Sequence, residues 1–130
     1  MIILALRTDK PEAELHLYAN SQQLAAIKWQ AHLQLAETLN SKIEEILNKS
    51  SISLDDIEAL AIYKGPGSFT GLRIGMSVAN ALAYAQNVPI VARGSDDWLK
   101  QSINAIEAGA NDKVATPEYG SAAHITKPRK

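Results

Sequence analysis

Residues 2–6 form an unbroken apolar run, the pattern of a buried strand. Ala13, Leu15, Leu17 and Ala19 then alternate with Glu14, His16, Tyr18 and Asn20, which is the period of a half-buried strand. Asn20-Ser21 signals a turn, and residues 24–29 predict a third strand closing an antiparallel meander. The period then changes. Leu35, Leu39, Ile43, Ile46 and Leu47 recur at helical spacing, with Glu37, Lys42, Glu44 and Glu45 on other faces, so a helix is predicted over 35–48. Ser53-Leu54-Asp55-Asp56 predicts a short turn capped by its serine. A strand over 57–63, a loop over 64–68, a helix over 69–86 and a strand over 88–92 follow, then a third helix over 95–106 with Ser95 as its cap. Beyond 107 the periodicity is lost, and Gly109, Pro117, Gly120 and Pro128 punctuate an irregular stretch.

This order is α/β. Three antiparallel strands, a helix, a strand, a helix and a strand make one ribonuclease-H-like subdomain, the unit that actin- and Hsp70-type ATPases use twice. It implies a mixed five-stranded sheet with flanking helices, and the helix between 63 and 88 permits a parallel crossover. The order alone leaves other α/β folds open. One domain is expected over 1–106, with 107–130 as an irregular basic tail.

Composition narrows the chemistry. The 130 residues are 46% hydrophobic and 21% charged, ordinary for a globular protein. With 13 Lys and Arg against 14 Asp and Glu, the chain lacks the basic excess of a protein that grips nucleic acid unaided. It has no cysteine, so disulfides, thiol nucleophiles and cysteine metal sites are excluded. The opening apolar run is too short for a signal-peptide core and has no basic leader, and no stretch is long enough to span a membrane. A cytoplasmic protein is expected.

The informative segment is Lys64-Gly65-Pro66-Gly67-Ser68-Phe69-Thr70-Gly71-Leu72-Arg73-Ile74-Gly75, where a strand hands over to a helix. Gly65, Gly67 and Ser68 make a candidate anion or nucleotide loop, since a helix start offers free amides. A dinucleotide fingerprint fits only in part. Thr70 stands where its third glycine belongs, and only one strand follows. A Walker-type loop fails, because no Lys-Ser or Lys-Thr follows the last glycine. The plain alternative is a structural turn that starts a packed helix.

Within that helix Gly71, Gly75, Ala79 and Ala83 fall at every fourth position and make a smooth seam. Glycine inside a helix costs about 1 kcal/mol against alanine, so something should offset it. The seam rests either on the sheet or another helix of this domain, or on a helix of another subunit.

The stretch from Ile62 to Gly75 resembles the hallmark of the TsaB (YeaZ) family, whose pattern GPGSFTGLRIG runs without interruption from Gly65 to Gly75. Leu54-Asp55-Asp56-Ile57-Glu58-Ala59, Ala81-Leu82-Ala83 and Val88-Pro89-Ile90-Val91 agree as well. The likeness covers residues 1–99. Pro117-Glu118-Tyr119 and Thr126-Lys127-Pro128-Arg129-Lys130 are similar to the family's last residues. The resemblance implies a degenerate relative of actin-like ATPases. It would be a non-catalytic partner of TsaD, which modifies the adenosine beside the tRNA anticodon, with the ATPase TsaE joining the pair. It implies a heterodimer through the first two helices, or a homodimer when TsaD is absent, and tRNA contact only through the complex. The candidate interface is then Leu35, Leu39 and Ile43 on the first helix, with Thr70, Gly71, Arg73, Ile74, Gly75, Ser77, Val78, Ala79 and Leu82 on the second. In this reading the seam meets TsaD, and Gly75→Leu should abolish pairing while leaving the domain folded. ATP and a metal are expected in the partner subunits, with no cofactor held by this chain.

The chain departs from the family in three ways. Arg7 stands at the acidic place of the first strand, where a cation cannot position magnesium. Leu35-Ala36-Glu37 keeps only the acid of the family's His-Ser-Glu. The second domain of full-length members is nearly absent, so a shortened form or a divergent paralogue is expected. No catalytic or metal set emerges. His16, His32 and His124 are scattered, and Asp55-Asp56 and Glu44-Glu45 are adjacent pairs that point to different faces. Ser68 and Thr70 have no activating base nearby in sequence. Lys127, Arg129 and Lys130 read as a solubilising tail, with contact to tRNA phosphates in a complex as the alternative. The competing functions are a small actin-like or dinucleotide-binding enzyme and a stand-alone homodimeric interaction module.

Overall fold

A computed structural model describes residues 1–118. The strands are β1 (Ile2–Arg7), β2 (Glu12–Ala19), β3 (Gln22–Gln30), β4 (Ala59–Tyr63) and β5 (Ile90–Arg93). The helices are α1 (Leu35–Lys49), α2 (Phe69–Gln86) and α3 (Trp98–Glu107). The sheet order is β3-β2-β1-β4-β5. β1 pairs antiparallel with β2 and parallel with β4, and β4 pairs parallel with β5, so the sheet is mixed as the sequence order implied.

β1 and β4 read as continuous apolar runs because both faces of the central sheet are covered. Leu4, Leu6, Leu60 and Ile62 belong to a core shared with α1 and α2. Ile3, Ala5, Ala59, Ala61 and Val91 pack on the opposite side against Trp98, Ile103 and Ile106 of α3. The alanines let α3 sit close to the strands. β3, at one edge, keeps the exposed and polar pattern of a strand covered on one face only.

Several boundaries differ from the sequence reading, most clearly the starts of α3 and β4. α3 begins at Trp98 rather than Ser95, because Ser95 adopts a left-handed backbone (φ 73°) and residues 95–97 form a turn. β4 starts at Ala59, since residues 54–56 close a short 3-10 turn first. In that turn the Asp56 carboxylate accepts from both the amide (3.0 Å) and the hydroxyl (3.2 Å) of Ser53.

Residues 110–118 form no helix or strand, yet they are pinned along the domain. Asn80 on α2 donates to the Ala115 carbonyl (3.1 Å) and accepts from its amide (2.8 Å), and Ala115 is buried. The Glu118 amide donates to the Lys64 carbonyl (2.6 Å). Tyr119, His124, Lys127, Arg129 and Lys130 lie outside the described residues. No helix among the described residues is long and apolar enough to cross a membrane.

Candidate docking face and glycine loop

The loop 64–68 delivers the chain from β4 into α2. Ser68 caps the helix, its hydroxyl accepting from the Gly71 amide (3.4 Å) while its carbonyl accepts from Leu72 (2.9 Å). Thr8, just past β1, donates its hydroxyl to the Gly71 carbonyl (2.8 Å). A Cβ on Gly71 would run into the Thr8 carbonyl oxygen, and one on Gly75 into the Thr8 hydroxyl. These glycines let α2 ride directly on the end of β1. Ala79 and Ala83 continue the same line into the core. The seam therefore rests on the sheet of its own domain, and the reading that gave Gly71, Gly75 and Ala79 to a second subunit is corrected. Gly75→Leu would damage the fold before it could report on pairing.

Asp9 packs its side chain against Gly67, and its backbone carbonyl accepts from the Ser68 amide (3.2 Å). Its carboxylate is taken by Arg7 (Nε to Oδ1, 2.8 Å; Nη2 to Oδ2, 3.4 Å). The Arg7 guanidinium lies over the Tyr63 ring, 3.9 Å from its centroid, and the Tyr63 hydroxyl donates to the Pro66 carbonyl (2.7 Å). Tyr63 meets Trp98 edge-on, and Trp98 meets His16 in the same way. Burial works against the Arg7 charge, but the hydrogen bond and charge of Asp9 outweigh it and raise its pKa further. Burial also pushes the Tyr63 hydroxyl up, with Arg7 pulling the other way. The sequence showed Arg7 in the acidic place. The structure adds that an acid two residues on, with Tyr63 beneath, turns this arginine into a clamp on the loop. Residues two apart at a strand end share a side, which was the available signal.

Beside this cluster the His16 Nε2 and Glu14 Oε1 atoms are 3.0 Å apart. Burial pushes Glu14 upward, but the hydrogen bond and charge of His16 overcome it and hold the carboxyl below its ordinary range. A carboxylate depressed in the folded state adds stability above its unfolded pKa and loses it as pH falls. Denaturation titrations between about pH 6 and pH 3 should show an acid loss of stability that Glu14→Gln diminishes. An identical acid limb in the variant would exclude this assignment.

The predicted interface residues divide by burial. Leu35, Leu39, Ile43, Gly75 and Ala79 are buried in the domain. Thr70, Arg73 and Ser77 are exposed, while Gly71, Ile74, Val78 and Leu82 are half-buried. The accessible face of α2 is thus Thr70, Arg73, Ile74, Ser77, Val78 and Leu82, with Ala81, Tyr84 and Ala85, which the sequence reading did not include. Arg73 reaches back over the Phe69 ring (5.2 Å) and is the one charged side chain in α2. Between α1 and α2 a groove of about 410 Å³ is lined by Ile43, Leu47, Ile52, Leu54 and Leu82, together with the polar Asn40, Glu44, Asn48 and Ser53. A second cleft, about 310 Å³, lies at the loop between Thr8, Asp9, Ser68 and Thr70 on one side and Leu33, Leu35 and Ile74 on the other. Of the loop residues, Gly67 and Ser68 are exposed and Gly65 is buried. Among the described residues no group of three or more potential metal ligands comes together.

The model of the family described as TsaD, tRNA N6-adenosine threonylcarbamoyltransferase, matches residues 29–109. The tRNA threonylcarbamoyladenosine biosynthesis protein TsaB of Haemophilus influenzae is 40% identical over 63 residues, 45% of this chain and 27% of the relative. TsaB of Escherichia coli is 49% identical over 49 residues, 38% of this chain and 21% of the relative. The solved structure of YeaZ from Pseudomonas aeruginosa superimposes with a TM-score of 0.69 at 28% identity, over 84% of this chain and 50% of that one. The chain thus spans half or less of the length of these relatives. With the family model reaching across more than half of the residues and the sheet order matching the ribonuclease-H-like subdomain, this chain belongs to the threonylcarbamoyltransferase family of TsaD, on its TsaB/YeaZ side.

Proposed function

We propose that the chain is a non-catalytic partner subunit in the synthesis of threonylcarbamoyladenosine on tRNA. It docks through the outer faces of α1 and α2 onto a TsaD-type threonylcarbamoyltransferase and holds that enzyme in a competent shape, with a TsaE-type ATPase joining the pair. The observation that carries this reading is the outer surface of α2. Over its 18 residues the helix bears one charge, Arg73, and its solvent side is Thr70, Arg73, Ser77, Ala81, Tyr84 and Ala85 beside the largely apolar α1–α2 groove. A solvated helix face normally carries several charges. A face with a single charge, slim around Ser77 and Ala81 and with the Tyr84 ring exposed beside them, suits a partner surface, because interface centres are depleted in charge and enriched in aromatic side chains. The commitment of Asp9 to Arg7 supports a non-catalytic role over a small actin-like enzyme, because the carboxylate at the end of β1 is already neutralised.

The test is co-expression with the threonylcarbamoyltransferase of the same cell, followed by mass determination in solution. A stable heterodimer is expected. Ser77→Arg and Ala81→Arg, both at exposed positions, should weaken it by about tenfold or more while leaving the melting curve in place. If the two chains do not associate, or if both variants associate as the parent does, the docking reading fails.

A further inference from the structure

We propose that the β3 edge is a second interface, on which two copies of this chain join their sheets antiparallel and set their α1 helices side by side. The two edges of the sheet are finished differently. At β5 the Ile90 amide donates to Asn111 Oδ1 (3.2 Å) and the Ala92 amide to Asp112 Oδ2 (2.8 Å), so side chains close that edge. Among the described residues nothing pairs with the outer side of β3. β3 has nine residues, no proline and one charge, Lys28. The register shifts at Leu24, which has no partner in β2, but from Ala25 to Gln30 the strand is regular and is a template for another.

The charge pattern of α1 selects a second copy as the occupant. Thr38, Lys42, Glu45 and Lys49 fall on one stripe of α1. Its ends are fixed over β3: Trp29 Nε1 donates to Thr38 Oγ1 (3.0 Å), and Lys49 shares a hollow with Leu24. Lys42 and Glu45 lie between and pair with each other (3.2 Å). A two-fold axis near Ala26 sets Lys28 of the copy opposite the irregular step at Leu24 and keeps the two lysines apart. The same axis carries Lys42 of one copy across from Glu45 of the other. α1 packs on both β2 and β3. With strands about 4.8 Å apart, the two α1 helices then lie about 10 Å apart, at the spacing of packed helices. The α1–α2 groove is on the other flank of α1, so this interface does not rest on the docking face proposed above.

Sedimentation of the full chain should show twice the mass of one chain at about 100 µM. Ala26→Lys places two cations at the axis and should return the single-chain mass with an unchanged circular-dichroism spectrum. Glu45→Lys should weaken the dimer about tenfold, and Lys42→Glu with Glu45→Lys should restore it, because the exchanged charges face each other again. Retained association of Ala26→Lys with the threonylcarbamoyltransferase would confirm that the two surfaces are separate. A single-chain mass for the parent, a dimer indifferent to Ala26→Lys, or a double variant no better than Glu45→Lys would overturn the proposal.

Discussion

Gly71→Ala should destabilise the domain by about 3 kcal/mol or more, and Gly75→Ala by about 2 kcal/mol, although alanine is the better helix former. The two costs have different origins. At Gly71 the added carbon meets the Thr8 carbonyl, a backbone atom just past the end of β1, beside the Thr8 hydroxyl bond to the Gly71 carbonyl. At Gly75 it meets the side chain of Thr8, which can be removed. Thr8→Ala should therefore recover about 1 kcal/mol of the loss at Gly75 and none at Gly71. Urea titrations of the single and double variants measure this directly. Equal coupling at both positions would mean that α2 can lift from β1 without cost, contrary to the contacts described.

Trp98→Ala should cost about 4 kcal/mol, the range for removing a buried tryptophan. Trp98 is 3% exposed and meets His16 and Tyr63 edge-on, while its carbonyl accepts the fully buried Ser102 hydroxyl (2.6 Å). α3 supplies most of the cover on that face, with Leu72 of α2 joining the same cluster. Hydrogen exchange should show α3 opening before the α1–α2 side, with protection there largely kept. Uniform loss of protection would show instead that both layers fold as one cooperative unit.

Much of the fold was legible from period alone. The run from Ile2 to Leu6 and the helical spacing from Leu35 to Leu47 each admit one economical burial. α2 shows the limit. Gly71, Gly75, Ala79 and Ala83 plainly share a side, but spacing does not say whether that side meets a sheet or a partner; the position of Thr8 decides it. The Arg7–Tyr63–Trp98–His16 stack joins β1, β4, α3 and β2, so no local window contains it. The late start of α3 depends on one residue, Ser95, whose left-handed backbone no hydrophobic pattern announces. The closing of β5 by Asn111 and Asp112 was hidden for the same reason as the stack, since the partners meet only in three dimensions.

The strand that begins the chain lies in the middle of the sheet. During synthesis β1 can pair at once with β2, but its other side stays bare until β4 arrives, with Ile3 waiting for Ala59 and Leu6 for Ile62. The nascent chain thus carries an unpaired edge through Ile3, Leu4, Ala5 and Leu6 while more than fifty residues are added. Because closing that long gap costs loop entropy, the β1–β4 pairing is expected to be the slow, committing event of folding. Ribosome-held chains ending before residue 59 should be bound by chaperones that recognise apolar strands, and those extending beyond α2 should be released from them.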